Sequence, residues 1–92
     1  MDVIHNEDAS RFEIRDAGGV AVLEYQREGD RVVMTHTEVP EAIEGSGYGS
    51  ALAKTALAWA REQGLRVEPV CPFVNAYVRK RAAEYRDLVG AL

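Results

Sequence analysis

The sequence predicts an α/β fold of the mixed α+β kind, with an antiparallel β-meander and a β-loop-α-β-α unit sharing one mixed sheet flanked by helices. Three observations predict it. Between Arg11 and Val39, strand-like stretches are separated by Asp16-Ala17-Gly18-Gly19 and Arg27-Glu28-Gly29-Asp30, two polar turns that carry glycine. After Pro40, a glycine loop leads into a run of helix formers, an apolar stretch, and a second helical run opened by Pro72. Finally, 92 residues that are 47% hydrophobic and 28% charged have the composition of one globular domain, spanning residues 1–92.

Each element follows from its pattern. Arg11-Phe12-Glu13-Ile14-Arg15 alternates, with Phe12 and Ile14 on one face. Val20 to Gln26 is rich in β-branched and aromatic residues, and Ala21, Leu23 and Tyr25 face opposite to Val20, Val22 and Glu24. In the third stretch, Arg31 to Val39, Val33, Thr35, Thr37 and Val39 alternate against Val32, Met34, His36 and Glu38 only after the apolar start. Glu41 to Gly49 is a loop. Ser50 to Gln63 reads as a helix whose buried stripe is Leu52, Ala56, Trp59 and Gln63, stopped by Gly64 at the C′ position with Arg61 near its negative end. Leu65 to Cys71 is a fourth strand, in which Pro69 marks an edge or a bulge. Phe73 to Ala83 is a second helix with Pro72 at its first turn, and Tyr85 to Val89 is a short tail. The Val39 strand, the first helix and the Leu65 strand form a crossover, so these strands run parallel and right-handed. The acidic N-terminus is expected to be mobile, with no role for His5.

Charge and composition exclude several functions. The net charge is −4, divided unevenly: residues 1–46 sum to 4 − 11 = −7 and residues 47–92 to 7 − 4 = +3. An acidic chain is a poor match for nucleic acid, although the basic half can hold one small phosphorylated ligand. No apolar run approaches the roughly 20 residues that span a bilayer, and the N-terminus has no secretory pattern. A lone cysteine, Cys71, makes neither an internal disulfide nor a multi-cysteine metal site, which points to a reducing cytosol and no metal.

Gly45-Ser46-Gly47-Tyr48-Gly49-Ser50 lies between a strand and a helix, where backbone N–H groups and the helix dipole converge on anions. A dinucleotide fingerprint does not fit, because no GxGxxG follows an opening strand. A Walker loop does not fit either, since no Gly-Lys-Ser/Thr is present. The same loop would equally serve as a plain structural turn.

Taken with its flanks, the loop resembles a known family. Met34-Thr35-His36-Thr37-Glu38-Val39-Pro40, then Gly45 to Leu52, then Pro69-Val70-Cys71-Pro72-Phe73-Val74 and Asn75-Ala76-Tyr77-Val78-Arg79-Lys80, look like the GCN5-related N-acetyltransferases, and specifically their very small acetyltransferase-like branch. The resemblance runs from about Phe12 to the tail Glu84 to Val89, and implies a minimal version of that fold. It further implies acetyl-CoA (coenzyme A) as donor, with the pyrophosphate on the amides of Gly45, Gly47, Tyr48, Gly49 and Ser50 and the pantetheine arm along Val39. Asn75 and Arg79, with Lys80 beside it, are the second-helix candidates for the cofactor. Glu44 departs from the family, which usually has Arg or Gln there, and is expected to face solvent.

Acetyl transfer needs a base for the attacking amine and donors for the developing negative charge. Cys71 stands just before a helix, a setting that favours a thiolate. It could accept the acetyl group covalently, protonate the leaving thiolate, or simply fill the core. His36 is the first candidate for the base or for activating Cys71, with Glu38 as substitute. Tyr77 or Tyr85 would be the acid that larger family members use, and both also read as core aromatics. The expected function is acetyl transfer from acetyl-CoA to a primary amine by a monomer or weak dimer, without nucleic acid or membrane. The alternative is a non-catalytic module that binds CoA or a protein partner on the same scaffold.

Overall fold

The computed structural model describes residues 2–90. Five strands, β1 (Ile4–Asn6), β2 (Arg11–Asp16), β3 (Gly19–Glu28), β4 (Arg31–Glu38) and β5 (Arg66–Pro69), lie in one sheet in chain order. β1 to β4 are antiparallel, and β5 joins β4 in parallel. The helices are α1 (Tyr48–Glu62), α2 (Pro72–Lys80) and α3 (Ala82–Val89). The meander, the crossover and the mixed sheet are as the sequence predicts.

Side-chain alternation builds the core on one face of this sheet. Phe12 and Ile14, Ala21, Leu23 and Tyr25, Val32 and Met34, and Val67 are buried there together. They pack with Leu52, Ala53, Ala56, Leu57 and Ala60 of α1, Val74 and Val78 of α2, and Tyr85 and Leu88 of α3. The helices therefore cover a single face. The other face leaves Arg15, Val20, Gln26 and His36 exposed. The stripe of α1 is centred on Leu52, Ala56 and Ala60. Gln63 is exposed, and Trp59 is only partly buried, at the edge of the core.

Several boundaries move from the sequence reading, for physical reasons. A β-bulge interrupts the β3–β4 ladder, because Tyr25 pairs with Met34 while Glu24 pairs with His36, leaving Thr35 as the extra residue. Alternation inverts there. His36 is placed on the open face with its partner Glu24, and Thr37 on the core face with its partner Leu23. Helix α1 begins two residues early, at Tyr48, because Gly47 supplies the left-handed turn that starts it. The second helix stops at Lys80, since Arg81 leaves helical geometry at φ −126° and ψ 40°. The tail is then a helix of its own, α3, whose Tyr85 and Leu88 stand one turn apart facing the core. Gly64 ends α1 as expected, with the Gly64 N–H donating to Arg61 O and the Leu65 N–H to Ala60 O. The N-terminal residues expected to be mobile contain strand β1. Among the described residues, no helix is long and apolar enough to cross a membrane, and no cluster of His, Cys, Asp and Glu could hold a metal ion.

Candidate functional site

The site begins where two paired strands part. β5 follows β4 from the Arg31–Arg66 pair to the Met34–Pro69 pair, and the Cys71 N–H makes one more bond, to Met34 O at 2.9 Å. Pro69 has no N–H to extend the ladder, and the chain then turns away into α2. β4 continues to Glu38 paired with β3 alone. The resulting wedge opens on a cavity of about 510 Å³ lined by Thr37, Glu38 and Val39 on one side and by Glu44, Gly45, Gly47, Tyr48, Gly49, Ser50 and Phe73 on the other. The structure thus brings Val39, Gly45, Gly47, Tyr48, Gly49 and Ser50 together around one space.

Local chemistry fixes the glycine loop. Glu41–Ile43 forms a 3-10 turn whose Ile43 is buried, and the Ser46 hydroxyl donates to Ile43 O at 2.8 Å. Gly45 and Gly47 hold φ of 81° and 78°, left-handed values that strain any other L-residue. Gly47 is the N-cap of α1, and no side chain caps that helix. The N–H groups of Tyr48, Gly49 and Ser50 consequently have no intrahelical acceptor, and they lie at the positive end of the helix dipole, beside the cavity. The Tyr48 hydroxyl donates to Asp16 Oδ2 at 2.5 Å, tying the loop to the β2–β3 turn. The Gly18 N–H and then Tyr48 hold the Asp16 carboxyl below its ordinary value, while the bond to Asp16 raises the Tyr48 phenol. Gly49 has a steric role instead, because a Cβ there would stand 2.8 Å from Cζ of Phe73, where α1 and α2 approach.

The remaining candidates are distributed around this cavity. Glu44 is exposed at its rim, and neither Lys nor Arg lines it. Asn75 and Arg79 lie outside the lining. The Asn75 amide donates to Pro69 O at 3.2 Å, and its Oδ1 accepts Arg79 Nε at 2.7 Å. Cys71 is 3% exposed, and its thiol donates to the Thr37 hydroxyl at 3.3 Å. His36 is exposed with Nε2 3.4 Å from Glu38 Oε1, and it projects from the opposite face to Thr37, so the two catalytic candidates are not brought into contact. Tyr77 and Tyr85 are buried with ring centroids 5.9 Å apart. Tyr85 lies on α3 beside Ala58 and Arg61 of α1, and burial, followed by the bond to Tyr77, pushes its phenol up. Thr37 is the polar residue that sequence reasoning missed. Strict alternation assigns it to the face opposite Met34, and only the bulge at Thr35 brings it to the cavity.

Known proteins resemble this chain in sequence and in fold. The sequence model of the family described as GCN5-related N-acetyl-transferase matches residues 11–88. Protein NATD1 of Gallus gallus is 36% identical over 83 residues, covering 87% of this chain and 76% of its own length. Protein NATD1 of Homo sapiens is 37% identical over 81 residues, covering 85% of this chain and 72% of its own. Among solved structures, the NMR solution structure of a GCN5-like protein from Staphylococcus aureus superposes with a TM-score of 0.76 at 26% identity, covering 99% of this chain and 89% of that one.

Proposed function

The chain belongs to the GCN5-related N-acetyltransferase family, and on that premise we propose that it transfers the acetyl group of acetyl-CoA to a primary amine. One observation carries the reading: the wedge between β4 and β5 runs directly into the uncapped start of α1, within one cavity of about 510 Å³. That volume lies in the usual range for small-molecule sites, about 300–1,000 Å³. The free N–H groups of the first turn of α1 suit the CoA pyrophosphate. The edge of β4 left by β5, at Thr37 to Val39, suits the amides of the pantetheine arm as a substitute strand. The thioester then lies near Thr37.

The acceptor nitrogen attacks the thioester carbonyl carbon, a base takes the N–H proton, the C–S bond breaks, and the departing thiolate takes up a proton. His36 stands outside the cavity lining and reaches it through Glu38, whose Oε1 is 3.4 Å from Nε2. In this reading the pair is the base, with the amine arriving on the open-face side of Glu38. Glu24, paired with His36, and Glu38 favour a cationic amine there. The Thr37 oxygen accepts the Cys71 hydrogen, which leaves the Thr37 hydroxyl proton to turn toward the thioester or the leaving sulfur. In this reading the Thr37 hydroxyl gives its proton to the departing thiolate and takes up the Cys71 hydrogen, and the Cys71 thiolate regains a proton from solvent once the products leave. A second reading, a CoA-binding module without catalysis, is favoured by the near-complete burial of Cys71.

Isothermal titration with CoA and acetyl-CoA tests the site itself. Heat of binding is expected with both, and a folded protein that takes up neither overturns the proposal. Cys71→Ala separates the two readings in an amine screen that reads free CoA thiol. Turnover is expected to disappear while CoA binding stays. Unchanged turnover makes the thiol structural, and an absence of turnover in the parent protein with every amine favours the binding module.

A further inference from the structure

A second hollow adjoins the glycine-loop cavity, and we propose that it binds the 3′-phosphate of CoA, so that Lys80 and Arg81 make the protein select 3′-phosphorylated CoA over dephospho-CoA. This rests on the reading of the larger cavity as the CoA site. The hollow, about 240 Å³, is lined by Ser50, Phe73, Ala76, Tyr77, Lys80 and Arg81. Ser50 and Phe73 line both spaces, so a ligand whose pyrophosphate sits on the start of α1 leads from one into the other. From Phe73 the wall follows α2 for seven residues to Lys80, about 10 Å at 1.5 Å per residue. A ribose carried by a pyrophosphate can present its 3′-substituent within that reach.

The distribution of charge supports this assignment. The larger cavity is lined by two carboxylates, Glu38 and Glu44, and by no cation. The smaller hollow has two cations and no carboxylate. A ligand with a pyrophosphate and an additional dianionic phosphate thus meets backbone N–H groups in the first space and side-chain charge in the second. Among the described residues, neither Lys80 nor Arg81 enters a salt bridge. The Arg81 guanidinium lies 3.8 Å above the Tyr77 ring and donates through Nη1 to Tyr77 O at 3.1 Å, which fixes its plane and leaves its other N–H groups for a ligand. Arg79, nearest in sequence, is committed through Nε to Asn75 and lines neither space.

The experiment is calorimetric titration of the intact protein with CoA and with dephospho-CoA. The unmodified chain is expected to bind CoA about 10-fold or more tightly than dephospho-CoA. Lys80→Gln and Arg81→Gln should each bring that ratio toward one by weakening CoA alone, while Arg27→Gln, a charge removed elsewhere on the surface, should preserve it. Lys80 is exposed at the end of its helix, so its substitution keeps the test independent of any effect of Arg81 on the α2–α3 junction. Equal affinity of the unmodified chain for the two ligands overturns the proposal and leaves the cavity reading intact. The same holds if the ratio collapses in Arg79→Gln and persists in Lys80→Gln. Binding of neither ligand overturns both readings together.

Discussion

At the scale of single residues, Glu13 shows how a polar side chain can be buried on a face that no helix covers. It is 1% exposed, and its own strand neighbours bury it. Arg11 Nε and Asn6 Nδ2 donate to its Oε2 at 2.6 and 3.0 Å, and Arg15 donates to its Oε1 through Nε at 3.1 Å and Nη2 at 2.9 Å. These donors, Arg11 first and then Asn6, outweigh burial and hold the carboxyl at about 2 against an ordinary 4.5. A carboxylate depressed in the folded state stabilises fully above its unfolded value and loses that contribution as pH falls toward the folded one. Glu13→Gln should therefore cost about 2 kcal/mol near neutral pH. In urea titrations the difference from the parent chain should shrink between pH 4.5 and 2. A difference that stays constant with pH counts against a charged Glu13. The alternation of Arg11 to Arg15 is legible in the sequence and sets these three polar residues opposite Phe12 and Ile14, but it does not show what they contact. That the arginines fold over the carboxylate depends on Asn6, which comes from another strand.

At the scale of elements, β1 was hidden by its composition and is held by one side chain. Its three residues pair only with β2, too short a ladder to be stable alone. His5 supplies the anchor. Its ring stacks on Phe12 at 4.0 Å, meets Trp59 edge-on at 4.8 Å, and places Nε2 2.7 Å from the Tyr25 hydroxyl. Nothing local to Ile4-His5-Asn6 announces these partners, which arrive from β2, β3 and α1. The α3 helix, which the sequence reading leaves as a short tail, does carry a local signal, since Tyr85 and Leu88 stand one helical turn apart. Burial pushes the His5 imidazole below 6.5, and Glu7, the charged group that opposes it, does not cancel the effect. The folded state thus prefers neutral His5, and its contribution is whole above 6.5 and is lost as pH falls through the lower folded value. Thermal unfolding of the parent chain should show a falling Tm below that point, and His5→Phe, which keeps the stacked ring, should remove this part of the fall. The same fall in both proteins means that another group carries it.

At the scale of the whole molecule, the site is the end of the sheet where several packing decisions coincide. The strand order and the crossover could be read because each rests on local pattern and short turns. The wedge could be read only in part. Pro69 marks an edge or a bulge, and in the structure it is the last paired residue of β5, whereas the inversion at Thr35 is a one-residue event that periodicity does not record. The support of the loop was also invisible, because it comes from the distant β2–β3 turn, where a Cβ on Gly18 would lie 2.7 Å from the Ile43 side chain and Asp16 holds Tyr48. Gly49 joins these parts, since its missing Cβ lets the Phe73 ring form a wall common to both hollows. Gly49→Ala places a methyl 2.8 Å from Cζ of a ring that is 42% exposed, so the ring can swing into solvent and the backbone need not move. Alanine in a helix gains up to about 1 kcal/mol over glycine, which offsets the lost ring contact. Thermal stability should therefore stay close to that of the parent chain while CoA affinity falls several-fold, and Phe73→Ala should show the same loss of affinity. A stable Gly49→Ala protein with full affinity for CoA removes Phe73 from the wall of the site. Loss of stability and affinity together means that the α1–α2 approach, rather than the ring, is what glycine protects.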